Sequence, residues 1–315
     1  MAATKRGTFF SGAALVWKWQ RLVWWVFAVC LIFGFFSTQG MVDRTSAALN
    51  HSMAAQRLVE GFDVPSLVTL GQLPNAPTET QWPTITHFSV VFLVFMIFAT
   101  GGILAAYVRD EKPTAAVFFE ACGQHFWRFF RLLIYFVVVL LPIAGIGAGA
   151  NAIYDHIDEK SISPFPAVHF MEAAAVVILL LLIIVRLWFD MAQVVAVADE
   201  EKRMHRALRR AFGLLMHNFF SLLWLYLRVS IIGWALFAFG LHVWMMHLKP
   251  QANVAAFLVS QLMILTWIGA RLWQRASEAI WYRNHEAAEA PVSEWAPAPA
   301  PAPVFVSAAA AEPQV

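Results

Sequence analysis

The sequence predicts an all-α, polytopic integral membrane protein: six transmembrane helices, two cytoplasmic interfacial amphipathic helices and an internal repeat. Three observations carry this prediction. The 315 residues are 60% hydrophobic and 13% charged, with 27 Phe and 14 Trp, which leaves too little polar surface for a soluble globule of this length. Six stretches each supply the roughly 20 apolar residues that a helix rising about 1.5 Å per residue needs to cross about 30 Å of hydrocarbon. Lys and Arg, finally, are divided unevenly between the connections on the two sides.

The spans run from Leu22 to Gly40, His87 to Val108, Leu132 to Ile153, His169 to Ala198, Phe219 to His247 and Ala252 to Leu272. The fourth and fifth are longer than a bilayer requires and are expected to tilt or project. The first follows Lys5 and Arg6, as a secretory signal would. Lys18 and Arg21 stand immediately before its apolar core, however, and no clear small-x-small site follows Phe36, so it reads as an uncleaved helix. The chain thus divides into a cytoplasmic amino-terminal segment with the first span (1–40), an extracytoplasmic segment (41–86), a five-helix membrane domain (87–283) and a tail (284–315).

Orientation follows from the cations. With a cytoplasmic amino terminus, that side receives sixteen Lys and Arg, Arg271 and Arg275 among them, and the other side four, namely Arg44, Arg57, Lys160 and Lys249. This is a strong positive-inside asymmetry. It places both termini in the cytoplasm of a multi-pass protein, read as one of the bacterial inner membrane.

The connections differ in kind. The segment "SAALNHSMAAQRLVEGFD" reads as a short helix, followed by irregular chain with Pro65, Pro74, Pro77 and Pro83. The tail "APAPAPAPVFVSAAAAEPQV" is an Ala/Pro run that cannot build a core and is expected to be disordered. Two cytoplasmic connections resemble each other. Placing "DEKPTAAVFFEACGQHFWRFFRLL" (Asp110–Leu133) over "EEKRMHRALRRAFGLLMHNFFSLL" (Glu200–Leu223) at an offset of 90 gives eight identities in 24 positions, among them Ala121 with Ala211 and Gly123 with Gly213. This is read as a duplicated unit of span, acidic exit, amphipathic elbow and Phe-Phe-initiated span, the two copies being parallel. In the second elbow Lys202, Arg203, Arg206, Arg209 and Arg210 oppose an apolar face of Met204, Ala207, Leu208, Ala211, Phe212 and Leu215. That pattern suits a helix lying in the headgroup region beside anionic lipid.

The stretch "VVAVADEEKRMHRALRRAFGLL", an outward-to-inward span with an acidic exit and an Arg-Ala-Leu-rich turn before a Phe-rich helix, resembles the cytoplasmic elbows of poorly characterised bacterial multi-helix membrane families. One of these is the membrane domain that accompanies some glycerophosphodiester phosphodiesterases. The resemblance covers roughly His87 to Trp281. It implies the architecture and no catalytic residues, since no phosphodiesterase domain is present.

Motifs for chemistry are few. There is no HExxH, GxSxG or P-loop. "GIGAG" at Gly145–Gly149 fits close helix packing through Gly145 and Gly149 better than a nucleotide loop. Cys30 and Cys122 offer neither a disulfide framework nor a CxxC metal site. His169 with Glu172, and His242 with His247 beside Met245 and Met246, form the only candidate metal ligands, near Asp155, His156, Asp158 and Glu159 of the preceding loop. No metal or other cofactor is expected, because His242 and His247 are five residues apart and should face different ways.

The remaining polar feature is intramembrane. In "LLIIVRLWFDMAQ", Arg186 and Asp190 are one helical turn apart. Arg228 of the fifth span lies at the same depth, so Asp190 is expected to bridge Arg186 and Arg228 inside the bundle. With no nucleophile and base identifiable, the expected function is non-enzymatic: an envelope scaffold or accessory subunit binding lipid or a protein partner. The alternative is a small transporter or lipid-handling protein with an intramembrane polar site. Expected partners are membrane lipids, anionic at the cytoplasmic face, and a protein. Nucleic acid is excluded by a net charge of only +2 with no basic-aromatic stretch.

Overall fold

The computed structural model describes residues 7–49, 82–110, 112, 114–160, 163, 165–247 and 252–289. Among these the chain forms α1 (Thr8–Lys18), α2 (Arg21–Leu49), α3 (Trp82–Arg109), α4 (Ala115–Lys160), α5 (Phe165–Ala198), α6 (Met204–His217), α7 (Phe219–His247) and α8 (Asn253–Glu289). Six of them, all but α1 and α6, are long and apolar enough to cross a membrane. The protein is therefore an all-helical, multi-pass membrane protein.

Several boundaries move. α2 continues past Gly40 to Leu49, and α8 past Leu272 to Glu289. Asp155, His156, Asp158 and Glu159 belong to the last turns of α4, not to a loop. The remainder of the 41–86 segment up to residue 81, and the Ala/Pro tail, lie outside the described residues.

Packing is layered by burial. α3, α5 and α8 pack on one another at the centre, and α2, α4 and α7 pack on α3, α5 and α8 respectively. The central helices bury near-continuous runs: Ile103–Tyr107 on α3, Phe189–Ala192 and Val194–Val197 on α5, and Gln274–Ala279 on α8. The outer helices instead expose large apolar side chains such as Phe220, Trp234 and Phe239, the pattern of helices whose surroundings are hydrocarbon.

Each central helix also carries an elbow: α1 on α8, the first turns of α4 on α3, and α6 on α5. The approach is close where a side chain is missing. A Cβ on Gly102 would stand 2.6 Å from Cys122 Sγ and 2.7 Å from the Phe118 ring, and one on Gly12 would stand 3.0 Å from Ser277 Cα. Cys122 is thus a buried packing residue of α4, and neither it nor Cys30 is in a disulfide. Indole donors tie two elbows down. Trp188 Nε1 donates to Leu208 O of α6 at 2.8 Å, and Trp273 Nε1 donates to Phe9 O of α1 at 2.9 Å.

The elbows end and begin in related ways. Asp110, just after α3, has φ of 52° and Glu200, two residues after α5, has φ of 50°; they are the only non-glycine residues with positive φ among those described. An Asp or Glu in this region is a costly helix stop, and each is held by a cation. Lys18 Nζ reaches Asp110 Oδ1 at 2.8 Å and Arg109 Nη2 reaches Glu200 Oε1 at 3.2 Å. The elbows differ after that. α6 is a separate helix, stopped at Asn218, whose side chain donates to Leu214 O at 3.3 Å. The first elbow is not separate: it runs without a break into the span as the 46-residue α4. The residue at the position of Asn218 under the offset of 90 is Arg128, a good helix former that continues the helix where Asn favours stopping it.

Candidate intramembrane charge site

Charged side chains from two central helices meet between α5 and α8. On α5, Arg186 Nε lies 3.9 Å from Asp190 Oδ2, one turn away as the sequence suggests. On α8, Arg271, Gln274, Arg275 and Glu278 recur at spacings of three and four, which places them on one face. Arg275 Nη2 lies 2.9 Å from Asp190 Oδ1, and Arg271 Nη1 lies 3.6 Å from Asp190 Oδ2. Gln274 Nε2 donates to Glu278 Oε1 at 2.8 Å and to Asp190 Oδ2 at 3.4 Å, while its own Oε1 accepts from Arg271 Nη1 at 3.0 Å. Arg275 Nη1 faces Glu278 Oε2 at 3.9 Å, beyond hydrogen-bond distance, and both atoms are buried without a hydrogen-bond partner.

Burial divides the cluster into two levels. Asp190, Gln274, Arg275 and Glu278 are buried, at 4%, 5%, 9% and 2% exposure. The side chains of Arg186 and Arg271 are 44% and 31% exposed, and they face a cavity of about 350 Å³. Its polar floor is Arg186, Asp190, Gln193, Arg271 and Arg275, and its walls are apolar, among them Leu93, Met96 and Ile97 of α3 and Leu133 and Phe136 of α4. Gln193 Oε1, also on the cavity, is buried and unpartnered. Asp190 lies eight residues before the end of α5 at Ala198, about 12 Å along the axis at the helical rise. An isolated Arg or Asp placed centrally in a span costs about 2.5–3.5 kcal/mol on insertion scales, so grouping these charges around one carboxylate offsets much of that cost. Three guanidiniums face two carboxylates, so with both carboxylates ionised the cavity floor keeps one positive charge.

Arg228 is not part of this cluster. It is exposed on α7 and stacks over the Trp224 ring of its own helix at 4.7 Å. The expected bridge fails because depth does not fix direction: α7 is an outer helix, and the second and third cations come from α8. Those residues were assigned to a cytoplasmic connection because the apolar run ends at Leu272, yet the helix carries straight on. The missed signal is "ARLWQRASEAIW", where Arg271, Arg275 and Glu278 share a face with small residues between them.

The other sequence candidates are placed as follows. Lys202 and Arg203 precede α6, while Arg206, Arg209 and Arg210 lie on its exposed side opposite buried Met204, Ala207, Leu208, Ala211 and Leu215; Phe212, assigned to the apolar face, is exposed. Arg210 pairs with both Asp199 and Glu286, and Tyr282 Oη donates to Asp199 Oδ1 at 2.8 Å. Asp199 is nonetheless held above its ordinary carboxylate range, because burial outweighs the Tyr282 hydrogen bond and the Arg210 charge. His169 Nδ1 lies 3.2 Å from Glu172 Oε2 on the exposed face of α5. The His242 and His247 rings, expected to face apart, pack edge to face with centroids 5.6 Å apart. The described residues contain no group of three His, Cys, Asp or Glu able to hold a metal ion. Gly145 and Gly149 make no close packing contact; within "GIGAG" it is Gly147 that faces α5, at Ile178.

No family model matches this chain. No curated protein and no solved structure matches it significantly. The fold and the site therefore define a class, a six-span helical membrane protein with a cationic cavity inside its bundle.

Proposed function

We propose that the protein is a non-enzymatic, lipid-handling component of the membrane. In this reading it holds the anionic headgroup of a phospholipid against Arg186 and Arg271, with an acyl chain along the apolar walls. The cationic floor beneath those walls carries the proposal. A free inorganic anion would be served by the floor alone, whereas Leu93, Met96, Ile97, Leu133 and Phe136 line the same cavity and suit hydrocarbon. Handling of lipid is favoured over a purely scaffolding role because Arg186 and Arg271 reach the cavity with donors to spare, whereas a clasp would use them fully.

The duplicated unit belongs to this reading. Asp110 and Glu200 stop their helices in the same unusual conformation and are 90 residues apart, the offset that aligns the elbows. The two indole bonds extend the pattern: Trp188 and Trp273 each fasten a central helix to an elbow. α8 followed in space by α1 and α2 thus forms a third unit, assembled from both ends of the described chain. The indoles are 85 residues apart, and so are Asp190 and Arg275. The site lies where equivalent levels of the repeated helices converge. A bacterial inner membrane with cytoplasmic elbows is the setting that the cation asymmetry and the resemblance to bacterial elbow families favour.

Native mass spectrometry of the intact protein in detergent tests the function. With phosphatidylglycerol, phosphatidylcholine and inorganic phosphate added separately and in competition, phosphatidylglycerol should be retained, and Arg186→Gln with Arg271→Gln should abolish its retention. Equal retention of phosphatidylcholine, or displacement of lipid by inorganic phosphate, would overturn the reading.

A further inference from the structure

The charge balance of the cavity floor carries a specificity. Arg186, Arg271 and Arg275 are opposed by Asp190 and Glu278, so at alkaline pH, with both carboxylates ionised, a bound headgroup of a single negative charge would bring the site to neutrality. In a site walled by apolar side chains a residual charge is costly, because little water is present to screen it. A phosphodiester carries one negative charge, whereas a phosphomonoester approaches two above its second ionisation. Glu278 stands apart from the other members: it is 2% exposed, does not line the cavity, and touches the site through Gln274 and Arg275. It can set the charge of the floor without contacting a ligand.

Resting on the lipid reading above, we propose that the cavity selects phospholipids with a singly charged phosphodiester headgroup over those ending in a phosphomonoester, and that Glu278 is the positioning residue that sets this preference. Arg186 and Arg271 are the groups that would touch the phosphate, Arg275 being held by Asp190 at 2.9 Å. Removing the Glu278 charge raises the floor by one positive unit and should favour the phosphomonoester. Removing the Arg186 charge lowers it by one, which should weaken both and leave the phosphodiester preferred.

The experiment uses full-length protein in detergent at alkaline pH, where the phosphomonoester is doubly ionised, with phosphatidylglycerol and phosphatidic acid of matched acyl chains competing in native mass spectrometry. The wild type should prefer phosphatidylglycerol by roughly tenfold, the scale of one uncompensated charge a few ångströms away in a partly hydrated site. Glu278→Gln should reverse the order, an outcome that loss of structure alone cannot produce. Arg186→Gln, at a half-exposed position, should weaken both lipids, phosphatidic acid the more. An unchanged preference in a folded Glu278→Gln, or a wild type that prefers phosphatidic acid, overturns the selectivity while leaving lipid binding intact. If Glu278→Gln does not fold, an Arg186→Gln variant that keeps full phosphatidylglycerol retention overturns it instead. Failure of the wild type to retain either lipid overturns the lipid reading itself.

Discussion

Asp190 Oδ1 lies 2.9 Å from Arg275 Nη2, and both residues are buried between α5 and α8. Removing one member strands the other charge, so Asp190→Asn and Arg275→Met should each cost about 3–5 kcal/mol of stability. The double variant should cost clearly less than the sum. Asp190→Asn combined with Arg228→Gln should be additive, since Arg228 stacks on Trp224 instead. Thermal-shift measurements in detergent check both cycles, and coupling to Arg228 with none to Arg275 would contradict the geometry.

Gly102 brings α3 against the first turns of α4, where any Cβ meets Cys122 and Phe118. Gly102→Val should destabilise by about 1–3 kcal/mol through overpacking. Gly145→Val, at a position with nothing within 4 Å of the added carbon, should be near neutral. Equal losses at the two positions would argue against this elbow contact.

If the third unit is real, its fastening should be worth the same as that of the second. Trp188→Phe and Trp273→Phe each remove one indole donor, and each should lower stability by about 0.5–1.5 kcal/mol. A loss at Trp188 with none at Trp273 would separate α1–α8 from the repeat.

Asp199 offers a pH test. Its carboxyl is raised above the ordinary 3.8 chiefly by burial, against the Tyr282 and Arg210 contributions. The folded state therefore binds more protons than the unfolded chain between 3.8 and the raised value. That contribution to stability is complete below 3.8 and is lost as pH rises through the folded value. Asn cannot ionise, so Asp199→Asn should gain on the wild type as pH rises from about 4 toward neutrality. The midpoint difference between the two proteins reports this, and a relative loss for Asp199→Asn would show that the Arg210 charge outweighs burial.

Much of the architecture was legible because length and hydropathy act through the bilayer, which is indifferent to partner geometry. All six spans were found on that basis, and the ends of α5 and α7 agree to the residue with the predicted Ala198 and Phe219–His247. What escaped was direction around the helix axis. The Arg186–Asp190 pair was readable because it needs only the helical repeat, whereas its third member depends on which helix is central, and nothing in an apolar span announces that. Arg271 and Arg275 were hidden by the convention that a span stops at its first cations, a convention that fails when those cations turn inward. The elbows show the opposite case: the face of the second was readable from spacing except at Phe212, which is exposed, but the continuity of α4 through the first, where Arg128 stands in place of Asn218, was not.

The contact between α1 and α8 sets an order of events during synthesis. Phe9 and Trp273, which it joins, are 264 residues apart. At roughly 5–20 residues per second, about 15–50 s separate the appearance of one from the other. Throughout that interval α1 lacks the α8 surface on which it packs, and its contact with the end of α3 rests on the Lys18–Asp110 bridge. A nascent chain interrupted before Trp273 therefore carries an α1 that is not yet fastened to α8.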